Sequence, residues 1–455
     1  MSRDRAPEVS RDGAMRRRLV PAVLLVALLV SGCGGSVDAN DWTMVGMTPD
    51  ERHVLLTTLF GGVASGCTRW EGWEVEESEE RVDVQALVWR KTLPSGCTDE
   101  GVTETIEVDL NEPLGTRELV GCGKDDCRSL EPDSWFGSWD LDAATSGDGV
   151  VVANAGALWS FDDDGAVRWS HDPGVTELFQ VSSEEVIAFD GMTTRSYDPV
   201  SGTETWQAEG FVAGTDEGTL YVCRGVDADL LAALDAETGT EFWEESLPCG
   251  YLVVQGDVIT IVAIDREVDG GHELLQVDAS TGAVILREKF DDGTDDQVNG
   301  FEGVVLAGDR MVMAGHQADF VVLDEDAEEL IRRPVRLGTP IGVVNDLVMF
   351  AGLDGVAAID PTTGETAWKS QSLSRESIAI SGESLWSLDA STGSVSKLDP
   401  GSGAPVWTTH VGLTSGFDVA ANASTAFVAT SLAALALDSS TGEVQWWQHT
   451  PFEQP

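Results

Sequence analysis

Basic residues are scarce in this sequence. Only 27 Lys and Arg stand against 79 Asp and Glu over 455 residues, a formal charge of −52 at pH 7. A surface of that sign repels a phosphate backbone and argues against nucleic-acid binding. Histidine (six) and tyrosine (three) are also few. No two cysteines are adjacent, no C-x-x-C pair occurs, and no His lies at zinc-ligand spacing beside a cysteine, so a zinc ribbon has no basis. His272–Gln276 starts like a zinc-protease helix but has Gln where the second His must sit. Gly123-Lys124 is followed by Asp125, which removes a phosphate-binding loop, and no G-x-S-x-G elbow is present. No apolar run reaches the roughly 20 residues that a membrane-spanning helix requires.

The apolar run that is present is short. Arg16, Arg17 and Arg18 precede Leu19–Val30, which ends at Ser31-Gly32-Cys33. Basic, apolar and small-residue segments in that order form a secretory signal. Met15 precedes the arginines and is an alternative start, and the Arg pair also suits twin-arginine export, though the residues around it match that pattern poorly. Val30–Cys33 resembles the lipobox of bacterial lipoproteins. The resemblance implies that Cys33 is the lipid-modified first residue of the mature chain; a plain signal peptide followed by a chance cysteine is the alternative. Residues 33–40 read as the lipidated Cys and a short polar tether. Losing residues 1–32 removes more bases than acids and takes the formal charge to about −55. Solubility of an exposed surface accounts for such a charge, and divalent-cation binding is the sharper alternative.

Six further cysteines, Cys67, Cys97, Cys122, Cys127, Cys223 and Cys249, make an even number, which in an oxidising compartment points to disulfides. Proximity suggests Cys67 with Cys97, Cys122 with Cys127, and Cys223 with Cys249, among fifteen possible connectivities.

Residues 41–130 alternate apolar and polar positions, as in 53–60, 82–89 and 105–110, which predicts a small β-rich module. Cys67–Trp70, Val82–Val84, Cys97–Val102 and Val108–Arg117 together resemble a small domain of secreted actinobacterial proteins to which no activity is attached.

From 131 to 455 the sequence repeats. The unit is an apolar strand ending in Asp, a turn ending in Gly, and a second strand reaching Trp. Full copies are Tyr197–Trp206, Leu234–Trp243, Ile359–Trp368, Leu398–Trp407 and Leu437–Trp446. Looser ones are Phe161–Trp169, Val277–Gly282 without its Trp, and Leu323-Asp324 without Gly or Trp. The repeat aspartates, Asp162, Asp198, Asp235, Asp278, Asp324, Asp360, Asp399 and Asp438, lie 36 to 46 residues apart, the length of a four-stranded propeller blade. A near-continuously apolar strand precedes each, as in Val150–Ala153 and Leu220–Cys223, which suits sheets buried on both faces. The Asp accepts turn amides, the Gly supplies a positive φ, and the Trp offers an apolar plate with one donor for docking between blades. Six repeat tryptophans, Trp169, Trp206, Trp243, Trp368, Trp407 and Trp446, explain much of the excess of fifteen Trp over three Tyr.

The pattern A-x-D-x-x-T-G-x-x-x-W resembles the repeat of pyrroloquinoline-quinone (PQQ)-type propellers over about 320 residues. The expected fold is therefore all-β, an eight-bladed propeller behind a small disulfide-linked module, with a seven-bladed closure as the alternative. The resemblance implies two functional classes: quinone-dependent dehydrogenases, and cofactor-free binding proteins such as the lipoprotein of the outer-membrane β-barrel assembly machinery. The dehydrogenases resembled carry a vicinal disulfide over the quinone, which this chain lacks. His171, His410 and His449 each follow a repeat Trp by two or three residues and read as strand ends. Asp162–Gly165 and Asp291–Asp296 read as turns, without the ligand spacing of a calcium loop. The expectation is an exported lipoprotein, held through Cys33 on the outer face of the cell membrane, acting as a binding or assembly scaffold for a protein, peptide or glycan. It assigns no catalytic residue, metal or cofactor. The alternative is an extracytoplasmic quinone-dependent dehydrogenase or other oxidoreductase, with PQQ and calcium as its cofactors.

Overall fold

In the computed structural model every regular element among the described residues is a strand, thirty-nine in all. Described are residues 35–450, apart from 62–66, 92–100, 124–126, 129–141, 181–184, 226–228, 265–270, 292–300, 316–318, 325–327, 334–337, 374–376 and isolated loop stretches of one or two residues. The export segment, Cys33 and Cys97 lie outside them. No helix among the described residues is long and apolar enough to cross a membrane.

The N-terminal module comprises β1 (Gly35–Asn40), β2 (Trp42–Met47), β3 (His53–Gly61), β4 (Thr68–Glu77), β5 (Arg81–Lys91), β6 (Gly101–Asp109) and β7 (Glu118–Val120). One sheet runs β1-β5-β4, with β7 parallel to β5; the other runs β2-β3-β6. Alternation along β5 buries Val82, Val84, Ala86 and Val88, as period-two patterning requires. These side chains meet Trp42, Met44, Val54 and Leu56 in one core, and Trp42 Nε1 donates to Val84 O at 3.0 Å, tying the sheets together. Cys122–Cys127 is a disulfide beside this core, and Cys67 is also disulfide-bonded.

The expected tether is corrected here. Residues 35–40 form β1, paired with β5 from Gly35 opposite Lys91 to Asn40 opposite Ala86. The segment is polar because it is an edge strand whose side chains 36–39 face water, and the backbone groups that face β5 pair with it. Asn40 Nδ2 pins its end by donating to Thr58 Oγ1 and Leu59 O.

Residues 142–449 form eight four-stranded antiparallel sheets, each made of consecutive strands. By their first and last strands they are Asp142–Ser146 to Val167–Val175 (blade one), Glu177–Gln180 to Glu204–Glu209 (two), Phe211–Asp216 to Glu241–Glu245 (three) and Tyr251–Gln255 to Val284–Asp291 (four). Gly303–Ala307 to Glu329–Arg333 (five), Thr339–Val344 to Glu365–Ser370 (six), Ile378–Ser381 to Pro405–His410 (seven) and Phe417–Ala421 to Val444–His449 (eight) follow. In all eight, the pairing of third and fourth strands slips just before the repeat Asp, for example between Ala233 and Leu234. Such a bulge bends and twists the outer strand. It occurs equally in blades four and five, whose motifs are incomplete.

Among the described residues, no strand is exchanged at closure. Blade eight packs Ala420, Phe427, Ala429, Ala434 and Ala436 against Val150, Val152 and Phe161 of blade one. The amide of Ala143 donates to Asp418 Oδ2 at 2.8 Å on the inner strands. Cys223–Cys249 joins the second strand of blade three to the connection into blade four.

In a four-stranded meander the first and third turns lie at one end, and the second turn and the exit to the next sheet at the other. The module docks on that second end of blades seven and eight. Its core reaches Ala390 and Leu413, Val45 and Leu55 pack with Leu432, and Met47 N donates to Leu413 O at 2.6 Å. Gly412 (φ +91°) makes this approach possible, because a Cβ there would come within 2.3 Å of Met47 O. Gly412→Ala should destabilise the chain by about 2 kcal/mol and loosen the module. Thermal unfolding and limited proteolysis would check this, and an unchanged digestion pattern and midpoint would count against the docking.

Candidate functional site

The repeat motif builds a ring of links, each passing from one blade to the next. Trp169 Nε1 donates to Pro199 O at 2.9 Å, Trp206 to Ala236 O at 2.8 Å and Trp243 to Ala279 O at 2.9 Å. Trp368 donates to Pro400 O at 2.7 Å and Trp407 to Ser439 O at 3.3 Å. Trp446 of blade eight donates to Asp163 O of blade one at 2.8 Å, so the series closes on itself. The acceptor is always the residue after the next blade's repeat Asp.

The glycines have a second role here beyond turn geometry. A Cβ on Gly202, with φ +70°, would stand 2.7 Å from the Trp169 ring, and one on Gly442 2.5 Å from Trp407. The indole therefore lies flat on the neighbour's turn, and any side chain would displace it. Each turn is shaped by its Asp. Asp198 Oδ1 accepts from the amides of Val200 and Ser201, Asp278 from Ser280 and Thr281, and Asp438 from Ser440 and Thr441. Asp162, Asp235, Asp324 and Asp360 accept from amides of their own turns in the same way, and Asp399 Oδ1 accepts from the Ser402 hydroxyl. Hydrogen bonds to the charged form favour it. Those from Ser440 and Thr441 hold Asp438 down at about 2, and those from Ser201, Ser280 and Thr362 lower Asp198, Asp278 and Asp360.

Blades four and five lack the Trp, and register puts Leu286 and Ile331 in its place. The fifth repeat is nonetheless linked, by arginine. Arg310 Nη1 donates to Pro361 O at 2.9 Å, the position equivalent to the other acceptors, and Arg333 Nη2 to Thr363 O at 2.8 Å. Sequence reading had no means of finding these residues, since neither stands in the motif.

The histidines divide. His171 Nε2 contacts Gly202 O and His410 Nδ1 contacts Thr392 O, both backbone carbonyls of turns; His410 ends its strand as expected, whereas His171 lies in the middle of Val167–Val175, which runs on past the expected end. His449 also ends its strand, but it meets the N-terminal module. Its ring stacks on that of His53 with centroids 3.9 Å apart, and its Nε2 lies 2.6 Å from Glu107 Oε1. His53 Nδ1 is 3.1 Å from the same oxygen and 2.9 Å from Asp109 Oδ1. This cluster was not legible, because its members are separated by most of the chain.

A family model described as outer membrane protein assembly factor BamB matches residues 190–285 and 391–453, parts of blades two to four and blades seven and eight. No curated protein matches the chain. Among solved structures, the computationally designed Ika8 protein is 15% identical, with 64% of this chain and 93% of that one covered and a TM-score of 0.51. BamB from Moraxella catarrhalis is 15% identical over 68% of this chain and 97% of its own, with a TM-score of 0.48. Quinohemoprotein alcohol dehydrogenase from Comamonas testosteroni is 12% identical over 65% and 70%, with a TM-score of 0.44.

Two outcomes test the ring of links. Trp446→Phe keeps the plate but loses the donor to Asp163 O, and should cost about 1 kcal/mol in urea unfolding, whereas Gly165→Leu should cost more by evicting the indole. The four lowered aspartates make their contribution above the unfolded carboxylate range near 4 and lose it as pH falls toward 2. Urea midpoints should therefore drop across that window, and Asp438→Asn should flatten the drop. The geometry makes this chain an all-β protein of four-stranded propeller sheets, in which residues 190–285 and 391–453 match the BamB-like repeat family.

Proposed function

We propose that this chain is an exported lipoprotein, anchored through Cys33, whose propeller binds a protein or peptide partner at its rim. The observation that carries this reading is a row of exposed apolar side chains: Phe242 (57% exposed), Ile285 (58%) and Leu330 (49%). Each immediately precedes the Trp position, or its register equivalent, on the outer strand of blades three, four and five. Those strands pair on one side only among the described residues, so exposed apolar side chains sit at equivalent positions on edges whose backbone groups can take an added strand. Scattered exposed hydrophobics are ordinary; aligned ones on adjacent blades mark an interaction surface.

The motif side chains support the same reading. Asp, Gly and Trp are committed to turns and inter-blade links, and the aspartates with lowered pKa all sit in turns or surface ion pairs. With β1 starting at Gly35, lipid on Cys33 would hold the module close against the membrane, and the propeller beyond it. The BamB description attached to the matching family model names an assembly role for that family, and the same class of role, recognition of another polypeptide, suits this rim.

The test combines three measurements. Palmitate labelling should be lost in Cys33→Ala, which should be released from the membrane fraction. Crosslinked partners recovered at the cell surface should disappear when Phe242, Ile285 and Leu330 are each changed to Asp in a chain that still folds. Titration with PQQ and calcium should give no reduction of a redox dye with alcohols or sugars. Dye reduction would overturn the reading in favour of an exported dehydrogenase.

A further inference from the structure

The cluster at the module junction joins three segments that share no repeat and no sequence neighbourhood. His53 opens β3, Glu107 and Asp109 lie near the end of β6, and His449 ends the outermost strand of blade eight. The register sets His53 directly opposite Asp109 and Leu55 opposite Glu107. All four therefore project from one face of the β3-β6 pair. Leu55 is fully buried in a cluster with Val45 and Leu432, so this is the face turned to blade eight.

His53 Nδ1, Glu107 Oε1 and His449 Nε2 all lie within 4.8 Å of one another. Glu107 is 12% exposed, His53 26% and His449 23%, so the group is half-buried but reachable by an ion. A simple ion pair accounts poorly for the geometry. His449 Nε2 is buried and makes no aligned hydrogen bond among the described residues, although Glu107 Oε1 is only 2.6 Å away. One carboxylate oxygen faces two stacked imidazoles, and it is hydrogen-bonded to His53 Nδ1 but not to His449 Nε2. Two imidazole nitrogens and a carboxylate oxygen within 4.8 Å of one another are instead a donor set for a borderline divalent ion. Ligands held at about 2.0–2.2 Å in a tetrahedron stand some 3.3 Å apart, a separation within the range seen here.

We propose that His53, Glu107 and His449 form a transition-metal site of the Zn2+ class, with Asp109 at hand as a fourth ligand, that clamps the N-terminal module to the last blade. The nitrogen-rich set selects Zn2+ over Ca2+ or Mg2+, which favour six or more oxygens. The site is independent of the rim and its partner. Its consequence is mechanical: the ion bridges the lipid-proximal module and the blade that closes the ring.

The experiment uses untagged chain stripped with chelator and titrated with ZnCl2, and in parallel with CaCl2, by calorimetry. The expected result is one Zn2+ per chain, no comparable uptake of Ca2+, and a rise in unfolding temperature with Zn2+. His449→Ala and His53→Ala should each weaken binding at least about tenfold and abolish the thermal shift. A readout that needs no variant is protection: Zn2+ should shield His53 and His449 of the wild-type chain from diethylpyrocarbonate while leaving His410 reactive. Absence of saturable binding up to roughly 100 µM Zn2+, unchanged binding in both variants, or no protection would each overturn the site.

Discussion

The structure depends on a single repeated contact, an indole laid on the glycine of the neighbouring turn with its N–H donated to the carbonyl beside it. A four-stranded sheet cannot bury both faces by itself and needs a neighbour on each side. The apolar second and third strands supply most of the driving force, but an apolar face can slide. The indole link removes that freedom in six of the eight blades, giving each of them one hydrogen-bonded register against the next. Asp, Gly and Trp act together in this: the carboxylate holds the turn, the missing Cβ leaves room for the ring, and the carbonyl after the Asp takes the donor.

In blade five, where the Trp is missing, the link is made by other chemistry. Arg310 and Arg333 reach the turn of blade six with guanidinium donors, and the bulge before Asp324 is kept. A guanidinium on a long stem can place N–H groups where a rigid indole would, with a charge that suits an acidic chain. The apparent decay of the fifth repeat is therefore a change of residue type under an unchanged geometry.

The ends of the chain carry a different kind of constraint. Among the described residues the propeller closes by packing blade eight on blade one without a shared strand, through side chains such as Phe427, Phe161 and Trp446. The N-terminal module covers the ends of blades seven and eight through Val45, Leu55 and Met47. It adds backbone and apolar contacts next to the one junction that chain connectivity does not hold. A module fixed there leaves the rim of blades three to five uncovered by it.

Much of this was written in the sequence by itself. The eight aspartates at near-constant spacing, the alternation along β5 and the skew toward tryptophan determined strands, turns and repeat, because these depend on local periodicity and on residues a few positions apart. Tertiary structure decided whatever joins distant segments. Residues 35–40 looked like a tether because an edge strand exposes polar side chains, and only the free edge of β5 made them β1. Arg310 took the place of a tryptophan because of where its guanidinium falls in space. His449 read as a strand end, and it became part of a His-Glu-His cluster only when folding brought β3 and β6 against the last blade, an approach no local pattern encodes.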